Sequence, residues 1–217
     1  MALRLAVLAS GGGSNLQSIL DAAAAGRLDA RVVAVVSDTP GAYALERARR
    51  AGVPAEVVDF SQSPSREAHD RRVVERLRHH GADTVALAGY MRLVSPVLLE
   101  AFPGRVLNIH PALLPAFPGV HVHGEVIEHG VKFSGCTVHF VDEGMDTGPI
   151  VIQAVVPVRD DDTPDTLAAR ILREEHRIYP QALQYLAEGR LRVQGRRVLL
   201  VPPSPGSGTL HNPAVAS

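Results

Sequence analysis

The stretch TVALAGYMRLVSPVLLEAFPGRVLNIH, Thr84 to His110, decides the fold class. "TVALAG" and "RVLNIH" are short runs dense in Val, Leu and Ala, the composition of strands covered on both faces. Between them "SPVLLEAF" carries helix formers and stops at Pro103-Gly104. Strand, helix and strand in succession imply two parallel strands joined by a right-handed crossover. The same rhythm extends toward the N-terminus. "LRLAVLAS" from Leu3, "ARVVAVVSD" from Ala30 and "AEVVD" from Ala55 read as strands. "NLQSILDAAAAG" from Asn15, "YALERARRAG" from Tyr43 and "REAHDRRVVERLRHHG" from Arg66 read as helices. The expected architecture is α/β, a Rossmann-like and mostly parallel sheet flanked by helices.

Beyond His123 the rhythm changes. "VKFSGCTVHFV" and "GPIVIQAVVPV" are two strands linked only by "DEGMDT", residues 142–147, too short a link for a parallel crossover. They are expected to pair antiparallel. A long helix follows, with Thr163 as N-cap and Pro164 at its first position. "LRVQGRRVLLV" reads as a small hairpin that completes an antiparallel C-terminal portion. Residues 1–200 are expected to form one domain, and the Pro-, Gly- and Ser-rich residues 201–217 a mobile tail.

Twenty-two basic against twenty-three acidic residues lack the basic footprint of a nucleic-acid binder. No stretch approaches the ~18 apolar residues of a membrane span, and "MALRLAVLASGGG" reads as a first strand rather than a signal peptide. With Cys136 the only cysteine, no intrachain disulfide can form, and a cytoplasmic setting is expected. Monomer and homodimer both remain open.

In such sheets ligands sit beyond the carboxyl ends of the strands. "ASGGGSN", "LAGYMRLV" and "NIH" are therefore expected to floor one site. The glycine loop lacks the Lys-Ser/Thr pair of a Walker loop. It also lacks the small third residue of a dinucleotide fingerprint, because position 16 is Leu16, although Asp38 stands where a ribose-binding acid would. Two readings remain: a capping box between Ser14 and Gln17, or a phosphate monoester site with Gly13, Ser14 and Asn15 as donors.

Asn108 and His110 lie two apart on one strand and so share a face. An amide that can meet an oxyanion and an imidazole that can move protons suit acyl transfer without a covalent intermediate. Asp142, Glu143 and Asp146 are the carboxylates that could orient the histidine, and spacing does not choose among them. Five of the ten histidines, at 110, 121, 123, 129 and 139, fall within thirty residues, so a zinc site is a competing reading. It lacks the spacing of a known zinc motif, and no metal is expected. His121 and His123 are expected to line the cleft or cap the next helix. On the long helix, Glu175 falls on the apolar stripe of Leu167, Ile171, Leu172, Ile178, Ala182 and Leu186. An inward carboxylate needs a partner, either an internal arginine or histidine or a substrate amine.

Together "LASGGGSNLQ", "SREAHDR", "LAGYMRLVSP", "LNIHPALLP", "GCTVHFVDEGMDTGPI" and "EEHRIYP" resemble the folate-dependent glycinamide ribonucleotide formyltransferases. The likeness implies the formyltransferase fold, with a phosphate-binding half at about 1–105 and a folate and catalytic half at about 106–200. It implies 10-formyltetrahydrofolate as co-substrate and glycinamide ribonucleotide as acceptor in purine synthesis. By the resemblance, Asn108, His110 and Asp146 are catalytic. Gly13, Ser14 and Asn15 hold the phosphate, and Glu175 holds the amine. Arg66, Met91, Arg92, Leu93, Val94 and Asn108 contact folate. The family's usual Gly-Asn-Gly is Gly-Gly-Gly here, a departure confined to Gly12. A 10-formyltetrahydrofolate hydrolase shares the core and is the rival activity.

Overall fold

The structure is a computed structural model that describes residues 2–203. The expected tail therefore lies almost wholly outside the described residues. Nine strands form one sheet in the order β3-β2-β1-β4-β5-β6-β7-β9-β8. The parallel part consists of β1 (Leu3–Leu8), β2 (Ala30–Ser37), β3 (Ala55–Val57), β4 (Thr84–Leu87) and β5 (Val106–His110). Its order 3-2-1-4-5 places all five carboxyl ends on one edge, with the order reversing between β1 and β4.

The chain turns antiparallel where expected. β6 (Phe133–Phe140) pairs antiparallel with β5, and β7 (Ile150–Pro157) pairs antiparallel with β6. The hairpin of β8 (Leu191–Gln194) and β9 (Arg197–Leu200) extends the far edge. The register sets Asn108 opposite His139, a pairing that matters below.

Alternation along β1 divides the interior into two cores. Leu5, Val7 and Ala9 face one side with α1 (Ser14–Ala24), α2 (Tyr43–Arg50), α5 (Val122–Glu128) and α6 (Pro164–Ala187). Ala6 and Leu8 face the other with α3 (Arg66–His79) and α4 (Pro96–Ala101). Helix α6 begins at the expected N-cap Thr163, which exchanges hydrogen bonds with Thr166 in a capping box. Its inward stripe includes Leu167, Ile171, Ile178 and Ala182; Leu172 and Leu186 are only half-buried. Tyr179, fully buried on the same helix, shares its hydroxyl proton between the carbonyls of Leu87 and Leu107, 3.0 Å from each. That contact fixes α6 to the carboxyl end of β4 and to the adjoining strand β5, beside which the candidate site begins.

Candidate active site

The strand ends converge as the sheet topology requires. Ser10, just past β1, donates its N–H to Gly89 O at 3.0 Å and accepts the Met91 N–H on its hydroxyl at 2.8 Å. The glycine loop and the segment after β4 are thus one continuous floor.

At the loop itself the capping-box alternative does not form. Gly13, at φ 70°, occupies the N-cap of α1 without any side-chain cap. Gln17 turns instead to Asp21 and accepts from Arg47. The left-handed backbone suits glycine, and a Cβ at Gly13 would run into Ala44 at the start of α2. Helix α2 grips the loop through Ala44 N–H to Gly11 O and Arg47 Nε to Gly12 O. The first turn of α1 consequently presents its amides without a protein cap, the arrangement that attracts an anion. Arg47 brings a cation to this loop, a feature its place in an ordinary-looking helical repeat did not reveal.

Asn15 of the expected phosphate set is partly engaged elsewhere. Its side-chain amide donates to Glu175 Oε2 at 2.7 Å, which leaves its backbone N–H and its second amide hydrogen for a ligand. Glu175 sits inward, 7% exposed, and its partner is this asparagine rather than the arginine or histidine expected of an internal pair. Burial raises its carboxyl above the usual range, and the Asn15 hydrogen bond only partly opposes that shift. The side-chain oxygen of Asn15, Oδ1, is buried without a hydrogen-bond partner. The contact also crosses the expected boundary near residue 105, joining a residue from each half.

Asn108 and His110 meet at a carboxylate. His110 Nδ1 lies 3.3 Å from Asp146 Oδ2, and the Asn108 amide lies 3.4 Å from Asp146 Oδ1. The other ring nitrogen of His110, Nε2, donates to the Phe117 carbonyl at 2.8 Å, so both nitrogens face acceptors. Of the three acids left open by spacing, Asp142 folds onto its own loop through Gly144 and Thr147, and Glu143 is exposed. Asp146 alone among them reaches the histidine. It does so from a left-handed backbone, φ 56°, a conformation that aspartate tolerates better than most residues. Gly148 closes the same turn so tightly that any side chain would strike the Phe140 carbonyl.

Burial works against a charged Asp146. The His139 ring, the Gly119 N–H and the nearby His110 outweigh it and hold the carboxyl below its ordinary range. His139 is the site member that sequence reading did not single out. It donates from Nδ1 to the Phe140 carbonyl at 2.8 Å and presents Nε2 to Asn108 at 3.2 Å and to Asp146 at 3.6 Å. Only the β5–β6 register reveals this.

The remaining histidines disperse. His121 takes the N-cap position of α5 at φ 64° but makes no side-chain cap. His129 packs edge-on against Phe117. His123 is disfavoured as a cation by burial and by repulsion from His110. Among the described residues no three His, Cys, Asp or Glu are grouped as metal ligands would be.

The expected folate segment divides by side chain. Met91 and Leu93 are exposed, 66% and 43%, and offer an apolar wall, with Met145 exposed over Gly119 on the acidic loop. Val94, 3% exposed, packs into the core beneath, so only its backbone can face a ligand. Arg92 is likewise diverted: its Nε donates to buried Asp38 at 2.7 Å, and its guanidinium lies 4.2 Å over the Phe60 ring. This pair also removes the ribose-binding reading of Asp38. Arg66 opens α3 beside Glu67 and is half-exposed.

A family model described as formyl transferase matches residues 3–183. The phosphoribosylglycinamide formyltransferase of Escherichia coli is 43% identical over 191 residues, 88% of this chain and 90% of that protein. The trifunctional purine biosynthetic protein adenosine-3 of Drosophila melanogaster is 47% identical over 86% of this chain, which spans 14% of its length. The crystal structure of glycinamide ribonucleotide transformylase 1 from Symbiobacterium toebii superposes with a TM-score of 0.91 at 57% identity, covering 92% of this chain and 94% of that one. A formyltetrahydrofolate deformylase from Pseudomonas syringae has the same fold at lower likeness, TM-score 0.83 and 28% identity, over 92% of this chain and 66% of its own. The chain belongs to the formyl transferase family.

Proposed function

We propose that the chain transfers the formyl group of 10-formyltetrahydrofolate to the amine of glycinamide ribonucleotide, a step of purine synthesis. The observation that carries this reading is the convergence of Asn108, His110 and Asp146 at the end of β5. The uncapped start of α1 and the inward Glu175 stand as a phosphate site and an amine site on one continuous floor. The exposed side chains of Met91 and Leu93 suit the flat pterin of a folate.

In this mechanism Gly13, Ser14 and the Asn15 N–H hold the phosphate, and Glu175 orients the glycinamide nitrogen. The neutral amine attacks the formyl carbon, and the carbonyl π electrons move to oxygen. The Asn108 amide and the His110 imidazole stabilise that oxyanion, and ionised Asp146 orients the ring. The tetrahedral centre collapses as its bond to N10 breaks. The nitrogen that attacked gives up a proton, and N10 gains one through the His110 and Asp146 pair. Products are formylglycinamide ribonucleotide and tetrahydrofolate, and the chain's own residues supply each proton step.

The test supplies both substrates and follows tetrahydrofolate release. Release that depends on glycinamide ribonucleotide is the expected result. Release at the same rate without it would establish the hydrolase, the activity of the deformylase relative.

A further inference from the structure

Asp38 is left without a role by the mechanism above, yet its surroundings are specific. Segment 89–95 leaves β4 two residues after Leu87, the residue paired with Asn108. It is pinned along its length by side chains from three other elements. Ser10 holds Gly89 and Met91. His69 of α3 meets the Tyr90 hydroxyl at 2.9 Å. Asp70 accepts the Ser95 N–H at 2.5 Å. At the middle, between the two exposed apolar side chains, Asp38 holds Arg92. The Asp38 side chain is 1% exposed and that of Arg92 41%, so the pair runs from the interior to the surface. Phe60 stacks beneath the guanidinium and leans on the His69 ring, 5.0 Å between centroids.

We propose that Asp38 is a positioning residue for the folate co-substrate. Through Arg92 it fixes the backbone from Met91 to Leu93, so that the apolar wall stands beside the reacting groups before the ligand arrives. The proposal rests on the reading of Met91 and Leu93 as folate contacts. Arg92 then acts through its ion pair and stack and not as a contact to the ligand. A wall already ordered avoids the cost of ordering it on binding, so the gain falls on folate affinity. The glycine loop is tied independently to α2 by Ala44 and Arg47, so the other substrate is expected to be insensitive.

The experiment measures kcat and both KM values for Asp38→Asn, Phe60→Leu and Leu93→Asp, with thermal melting alongside. Asp38→Asn is expected to raise KM for 10-formyltetrahydrofolate about tenfold, by loss of preorganisation. KM for glycinamide ribonucleotide and kcat are expected to stay within about twofold. Phe60→Leu removes the stack but keeps the carboxylate, and its expected effect is smaller and of the same kind; it carries the test if Asp38→Asn does not fold. Leu93→Asp puts a charge on the wall itself. If it raises the folate KM and the other two variants do not, positioning by Asp38 is overturned while the folate reading stands. No effect from any of the three overturns both. An equal rise in the two KM values with a lowered melting temperature makes Asp38 a general structural residue and overturns the proposal.

Discussion

The side-chain amide of Asn15 donates a 2.7 Å hydrogen bond to Glu175 Oε2, joining the first turn of α1 to the middle of α6. Sequence separation is 160 residues, and the bond is buried. It ties the proposed phosphate site to the proposed amine site, so the spacing between them is set by the protein before substrate binds.

Glu175→Gln tests that joint. Burial raises the Glu175 carboxyl above its unfolded value, so the folded state holds the proton more tightly. For such a group, stability is greatest below the unfolded pKa and falls as pH rises through the folded one. A glutamine carries no charge and offers an N–H to the unpartnered Asn15 Oδ1, a bond worth about 1 kcal/mol. The variant is expected to melt higher than the parent near neutral pH, with the difference shrinking as pH falls toward the ordinary glutamate range. Binding of glycinamide ribonucleotide is expected to weaken, and the acid limb of kcat/KM that Glu175 imposes is expected to vanish. Melting curves from pH 4 to 8 and a pH–rate profile check both halves. A variant that melts lower at every pH would make the carboxylate structural.

His110→Ala and Asp146→Asn remove the two members of the proposed proton-moving pair. Each is expected to lower kcat by at least ~10²-fold, in line with general acid–base catalysis. Asp146 is held ionised below the ordinary aspartate range, chiefly against burial and by its contacts with His139 and Gly119. Its stabilising contribution is therefore present above the unfolded pKa and lost as pH falls through the lower folded value. Asp146→Asn should narrow the parent's stability advantage only under strongly acidic conditions. Steady-state kinetics and acid titration of the fold measure the two effects, and near-parental turnover in either variant removes that residue from the mechanism.

The parallel half of the sheet was legible because each element announces itself locally. "TVALAG", "SPVLLEAF" and "RVLNIH" carry period and composition with no help from distant residues, and so does the Thr163-Pro164 start of α6. Asn108 and His110 could be read as a pair because two-residue spacing on a strand is itself a spatial statement. The diverted and added residues have the opposite character. Arg92 meets Asp38 across 54 positions, Asn15 meets Glu175 across 160, and His139 meets Asn108 only through strand register. Such contacts depend on how elements stack, and a residue's neighbours in the chain do not encode that. Resemblance supplied Asp146, which spacing left tied with Asp142 and Glu143. In this fold the Arg92 side chain is engaged by Asp38 and that of Val94 by the core.

His139→Ala addresses the group that register brought in. Its ring closes one side of Asp146 and contacts the Asn108 amide, so it orients the reacting groups through their neighbours. Losing it should leave Asp146 Oδ1 and the amide less constrained and let the Asp146 pKa rise. The expected result is about a tenfold fall in kcat, smaller than for His110→Ala, since positioning and not proton transfer is lost. His139→Gln, which can keep a contact to Asn108, should recover part of it. No difference between the alanine and glutamine variants would mean the ring only fills space.

Gly13→Ala probes the loop that begins the site. The left-handed backbone at Gly13, φ 70°, costs an L-residue roughly 1–2 kcal/mol. The new methyl would also meet Ala44, whose own N–H holds Gly11 O, so relief requires α2 to move off the loop. Moving α2 loosens the Arg47 contact to Gly12 as well, and the amides at the start of α1 lose their alignment toward an anion. The variant should therefore lose stability and bind glycinamide ribonucleotide more weakly, with little change in the folate KM. Gly12→Ala, at a position with open space around an added Cβ, should show neither effect. Calorimetric titration with the ribonucleotide compares the two. Equal affinity for both variants would separate the loop's geometry from phosphate binding.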